Sequence, residues 1–166
     1  TMQIDLDLYR REVHVSIKPQ VHLSVVDIAP DYARRTLLFL HGFGGNAMQW
    51  QYQLDAFAPT QRVIAPDLRG HGLSDKPHSA YNMQELLGDI EAVLDTLGIS
   101  EKVVLVGHSF GAAVAAEFAI TRPRRVEGLI LIAAATQYQI NPLYRTLLKL
   151  PERVLDALAP FLHKQL

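Results

Sequence analysis

Val103-Val104-Leu105-Val106-Gly107-His108-Ser109-Phe110-Gly111 is an apolar, β-branched run that breaks at a glycine, presents a serine, and continues as Ala112-Ala113-Val114-Ala115-Ala116. It reads as a strand handing over to a helix through a sharp turn with Ser109 at its tip. Such a turn suits nucleophilic chemistry: it exposes the serine oxygen at the end of a rigid sheet, beside backbone N–H groups able to hold an oxyanion. Gly107 and Gly111 are the residues the turn demands, because side chains there would collide as strand and helix close around the serine. With glycine near 7% of residues, a chance G-x-S-x-G arises in about one chain in twenty of this length. The strand-like run before it and the helix-forming run after it supply the context the motif needs.

Outward from this turn, Leu37-Leu38-Phe39-Leu40, Val63-Ile64-Ala65 and Leu129 to Ala135 are further apolar runs without alternation. Strands buried on both faces have this pattern. Between them Met83 to Leu97 places Met83, Leu86, Leu87, Ile90, Val93, Leu94 and Leu97 at helical spacing, with Asp89, Glu91 and Asp95 opposite and Gly98 as the stop. Alternating strands and helices imply right-handed crossovers and a mostly parallel sheet with helices on both faces. Ahead of this, Glu12 to Ile17 alternates and Val21 to Ile28 is β-rich, which predicts two antiparallel strands joined across Pro19-Gln20. His14 and His22 lie in that alternation as ordinary strand histidines, with no acid or nucleophile at ligand spacing.

His41-Gly42-Phe43-Gly44-Gly45 follows the strand Leu37 to Leu40 and puts glycines where ligands gather in parallel sheets, at a strand's carboxyl end. The Phe43 N–H is a candidate oxyanion donor, and the Phe110 N–H, in the first turn of its helix, is the other. A phosphate loop would need G-x-G-x-x-G spacing or a Lys-Ser/Thr pair, and neither is present. A third segment, Ala65-Pro66-Asp67-Leu68-Arg69-Gly70-His71-Gly72-Leu73-Ser74-Asp75-Lys76-Pro77, is a turn-rich loop after another strand. Asp67 and Arg69 are read as tying that loop down, with His71 in the turn. No metal site is expected, since His71 and His78 lack a carboxylate pair at ligand spacing.

A chain of 166 residues fits one domain with a sizeable core. Sixteen basic against 17 acidic residues give a net charge of −1 without long like-charge runs, which argues against a nucleic-acid surface. Cysteine is absent, which removes disulfides, thiolate metal sites and a cysteine nucleophile, and fits a reducing compartment. The first residues carry acids where a signal peptide needs an apolar run, and no stretch approaches a membrane span. The expectation is a soluble, cytoplasmic protein without membrane partners. After Ala135, Leu143 to Leu150 and Arg153 to Leu162 are short amphipathic pieces interrupted by Pro142, Pro151 and Pro160. They suit a lid over the serine, ordinary surface helices, or a membrane-lying segment, although their length and charge fall short of an interfacial anchor.

In their order along the chain, the three loops and the following strand resemble the α/β-hydrolase family. The resemblance covers Glu12 to Ala135 and implies an α/β-hydrolase core, residues 1–135, followed by the start of a helical cap, residues 136–166. It matches Ser109 to the family's nucleophile and the N–H groups of Phe43 and Phe110 to its oxyanion hole. Serine rather than aspartate at the elbow speaks against the dehalogenase and epoxide-hydrolase branches. The family's acid and histidine come after the serine, at strand ends. Here His163 and Asp156 are the candidates, and neither sits in a strand-end loop; Thr136 follows the last strand where the acid occasionally stands. The expectation is therefore that the 166 residues are the front part of a larger hydrolase, its remainder disordered, cleaved or supplied by a second chain, because the apolar strand Leu129 to Ala135 would otherwise lie at an open sheet edge.

The function this implies is a serine hydrolase that acts on a small ester-like substrate through an acyl-enzyme at Ser109, with no cofactor or metal. Amide, thioester and carbon–carbon cleavage remain open. The alternative is a non-catalytic ligand-binding or scaffold protein that keeps the fold without a working triad.

Overall fold

The computed structural model describes residues 3–17, 19–78 and 81–134. These fall within one compact unit, Thr1–Ala135. The helical pieces expected over 143–150 and 153–162, with Asp156 and His163, lie outside the described residues, as does Thr136.

Six strands form one sheet in the order β1-β2-β4-β3-β5-β6. β1 (Arg10–Ile17) and β2 (Gln20–Ile28) pair antiparallel, as the alternation predicts, and the register sets His14 opposite His22. β2 also runs antiparallel to β4 (Arg62–Pro66). β3 (Thr36–Leu40) is parallel to β4 and to β5 (Val103–His108), which is parallel to β6 (Val126–Ile132). The sheet is thus mostly parallel at its centre, with the antiparallel hairpin at one margin.

Successive side chains of a strand point to opposite faces, so a strand covered on both sides must be apolar throughout. β3 shows this directly. Leu38 and Leu40 enter a core with Leu87, Ile90 and Phe118 of helices α2 (Met83–Thr96) and α3 (Phe110–Thr121). Leu37 and Phe39 enter the opposite core with Trp50, Leu54 and Ala58, around a 3₁₀ turn (Ala47–Trp50) and helix α1 (Gln51–Phe57). Among the described residues β6 has β5 as its one neighbour and forms the other margin of the sheet, where Leu129 to Ile132 are 40–50% exposed. It ends at Ile132.

One expectation needs correction, the placement of Asp89 opposite the apolar stripe. Asp89 does not face solvent: it is buried on α2 and receives Arg69 Nε at 2.6 Å and Nη2 at 2.5 Å. Three residues after Leu86 and four before Val93, Asp89 borders the apolar stripe, and the buried guanidinium of Arg69 from the loop after β4 meets it there. Asp67 and Arg69 both tie their loop down, as the sequence predicts, each through its own partners. Asp67 takes the Ala47 amide at 2.7 Å, the Leu73 amide at 2.9 Å and Arg10 Nη1 at 3.3 Å.

Candidate active site

Ser109 stands between the last residue of β5 and the first of α3 with φ +52° and ψ −113°. For a residue with a Cβ this backbone region costs about 1–3 kcal/mol and persists only where surrounding contacts impose it. Those contacts are present. Ser109 N–H donates to the Ile132 carbonyl at 2.9 Å, which fastens the turn to β6, and its carbonyl accepts the amides of Ala112 at 3.0 Å and Ala113 at 3.3 Å, which start α3. A Cβ on Gly107 would lie 2.5 Å from the Gly111 carbonyl oxygen, and one on Gly111 would run into the carbonyls of Leu40 and His41. Strand and helix can approach this closely only because both positions are glycine.

Serine is among the best helix N-capping residues because its oxygen usually accepts an amide of the first turn. Ser109 occupies that position and makes no such bond. The positive φ carries its side chain away from the helix axis, so the Oγ is withheld from the role the sequence position favours.

The loop after β3 runs directly beside this turn: a Cβ on Gly42 would sit 3.4 Å from Ser109 Cβ. Its peptide planes are fixed by an array of hydrogen bonds. The Gly42 carbonyl accepts the Gly45 amide at 3.0 Å and His41 Nδ1 at 2.8 Å. Because C=O and N–H of one trans peptide point in opposite directions, the Phe43 N–H is turned away from those partners. Among the described residues neither the Phe43 nor the Phe110 N–H is engaged in a hydrogen bond. The two rings meet edge to face at 6.3 Å, and Phe43 is 85% exposed. The structure thus brings Ser109, Phe43 and Phe110 together at the carboxyl edge of β3 and β5.

His41 is fully buried and spans two loops. Its Nε2 accepts the Leu68 amide at 2.9 Å, so the proton resides on Nδ1, which donates to Gly42. Burial pushes its pKa below the ordinary histidine value, against the pull of the Gly42 carbonyl, and the ring stays neutral. His71 packs edge-on against His41 at 5.0 Å and against Phe43 at 5.6 Å. Asp67, Arg69 and His71 therefore shape the loops around the serine, as sequence analysis expects, by supporting the backbone.

Sequence reasoning assigns no role to Gln49 or His108, yet both belong to the site. Gln49 Oε1 accepts the Gly42 amide at 3.1 Å and its Nε2 bonds His108 Nδ1 at 2.7 Å. The one local signal is a polar residue between buried Ala47 and Trp50. Among the described residues no histidine is hydrogen-bonded to the Ser109 hydroxyl, and no group of three or more metal-ligating side chains is placed to hold an ion. No helix among them is long and apolar enough to cross a membrane.

Comparison with known proteins agrees with this architecture. Over 123 residues the chain is 39% identical to epoxide hydrolase 3 of Siraitia grosvenorii, covering 70% of this chain and 37% of that protein. Among solved structures, an epoxide hydrolase from hot-environment metagenomes superposes with TM-score 0.69 at 39% identity, covering 75% of this chain and 42% of that one. A thermophilic esterase from Thermogutta terrifontis gives TM-score 0.72 at 28% identity, with coverages of 82% and 50%. The chain spans half or less of the length of these relatives. The model of the alpha/beta hydrolase fold matches residues 35–164, from the start of β3 through the loops around Ser109 and beyond, and by that match the chain belongs to the α/β hydrolase fold family.

Proposed function

We propose that the protein is a serine hydrolase acting on a small ester-like substrate, with Ser109 as nucleophile and the amides of Phe43 and Phe110 as oxyanion donors. The observation that carries this reading is the strained Ser109 backbone, which withholds the hydroxyl from helix capping beside two amides without partners among the described residues. Ser109 Oγ adds to the carbonyl carbon while a histidine outside the described residues takes its proton. The carbonyl electron pair moves onto oxygen and is held by the two N–H groups. Collapse expels the alcohol, which takes the proton back from the histidine, and water then cleaves the acyl-enzyme by the same steps.

Relatives named epoxide hydrolases share the fold, but the elbow chemistry favours acyl transfer in this chain. A serine oxygen that opened an epoxide would be left in an ether, which has no carbonyl for water to attack. A carboxylate would be left in an ester, which water can cleave. Ser109 therefore points to carbonyl substrates, in line with the relative named an esterase. In this reading the partner is a small molecule rather than nucleic acid or a membrane, and the location is cytoplasmic; a net charge of −1 and the absence of cysteine support both. The test sets p-nitrophenyl acetate and butyrate against styrene oxide. Ester hydrolysis that falls about 10³-fold or more in Ser109→Ala is expected, whereas diol formation from the epoxide without ester turnover would overturn the reading.

A further inference from the structure

The two candidate oxyanion amides come from different strand-end loops, so a hole built from them works only if the loops keep a fixed separation. We propose that Gln49 is a positioning residue that sets this separation, by bridging the Gly42 peptide of one loop to His108 of the other and holding His108 as its neutral Nε2–H tautomer. The proposal rests on the serine-hydrolase reading above and names a part of the same site.

The amide of Gln49 can be oriented in one way only. Gly42 N–H is purely a donor, so the atom 3.1 Å from it must be the amide oxygen. The nitrogen then faces His108 Nδ1 at 2.7 Å and, being purely a donor, requires a lone pair there. The His108 proton consequently lies on Nε2. Reversing the amide would set NH₂ against N–H at Gly42, and a proton on His108 Nδ1 would set N–H against NH₂, so each end of the bridge fixes the other.

Gln49 is itself well anchored for this task. Its 3₁₀ turn is capped by Asn46, whose Oδ1 accepts the Met48 amide at 2.9 Å, and is tied down by the Ala47 amide on buried Asp67. Trp50, 3% exposed, packs on Phe39 beneath it. The other end is equally fixed, because His108 is the last residue of β5 and adjoins Ser109. The close fit is visible at Gly42, where a Cβ would come 2.9 Å from His108 Nδ1, and at Gly45, where one would come 2.8 Å from Gln49 Oε1. The bridge holds the His41–Gly42 peptide, which adjoins the one that carries the Phe43 N–H, so its loss loosens the near side of Gly42 while the Gly42 carbonyl keeps its own bonds and the core stays untouched.

The test uses the full-length protein, with Gln49→Ala, Gln49→Glu, His108→Ala and the Gln49→Ala/His108→Ala pair. Three readings are made: ester kinetics; affinity for an alkyl trifluoromethyl ketone, whose adduct with serine carries an oxyanion; and ¹⁵N NMR of the His108 ring. Gln49→Ala is expected to lower kcat and the ketone affinity in parallel by about 10- to 100-fold, with KM changed by less than about 2-fold. Adding His108→Ala should cost little more, since the bridge is already gone. In the wild type His108 Nδ1 should be unprotonated at neutral pH. Gln49→Glu, an acceptor only, should move the proton to Nδ1, a change that a merely structural role for Gln49 would not produce. Wild-type kcat and ketone affinity in Gln49→Ala, or a protonated Nδ1 in the wild type, would overturn the proposal. A wild-type protein that forms no adduct at Ser109 would defeat the serine-hydrolase reading and this role together, and is distinguished from failure of the bridge alone, in which Gln49→Ala reacts as well as the wild type.

Discussion

Arg69 and Asp89 form a two-pronged ion pair, each with its side chain about 1% exposed, joining the loop after β4 to the middle of α2. Desolvating both charges is costly, and the pair is tolerable because the guanidinium fork meets both carboxylate oxygens. Removing Asp89 takes away both contacts of the fork and leaves Arg69 the partly exposed Glu85 carboxylate, 3.4 Å from Nη1. Asp89→Ala should therefore destabilise the protein by about 3 kcal/mol in urea unfolding, and a loss below about 1 kcal/mol would show that Glu85 alone is a sufficient counterion for Arg69.

His41 makes stability depend on pH in a definite direction. Burial lowers its pKa in the folded protein, whereas the unfolded chain titrates near the ordinary 6.5. Below that value the unfolded state binds a proton the folded state refuses, so stability falls as pH drops from the unfolded pKa towards the folded one. The slope from this group approaches about 1.4 kcal/mol per pH unit. His41→Gln should flatten that part of the profile; an unchanged slope would assign the acid sensitivity elsewhere.

Backbone strain at Ser109 predicts a split between two substitutions. Ser109→Ala keeps a Cβ at φ +52° and should leave Tm nearly unchanged. Ser109→Gly removes the clash and should raise stability by up to about 1 kcal/mol, less the entropy that glycine adds to the unfolded chain. Equal Tm values for the two would mean that the turn carries little strain.

Close approach at Gly111 predicts the opposite response. Its missing Cβ leaves room for the carbonyls of Leu40 and His41, backbone atoms that cannot move aside independently of β3. Gly111→Ala should cost about 3 kcal/mol or more, read as a lower Tm and reduced soluble yield; near-native stability would show that α3 can shift away from β3.

Much of this architecture is legible in the sequence because it depends on local periodicity. Leu37 to Leu40 is apolar at every position since its two faces meet different helix layers, and Met83 to Leu97 shows one apolar stripe. The elbow is legible because Gly107 and Gly111 bracket Ser109 at fixed spacing and a steric demand explains both. Asp89 is misleading, because a carboxylate bordering the stripe beside Leu86 and Val93 is kept buried by Arg69, a partner 20 residues earlier in the chain. Gln49 and His108 are 59 residues apart, and their bond exists only because β3 and β5 are adjacent and parallel, a relationship no local pattern encodes.

The role of Ser109 is tested most directly by trapping the intermediate. The full-length protein is mixed with p-nitrophenyl acetate, quenched in acid within the first turnover, and digested for mass spectrometry. One acetyl group on the peptide containing Ser109, absent in Ser109→Ala, is the result this account predicts. Turnover of the ester with Ser109 unmodified, or undiminished in Ser109→Ala, would contradict it.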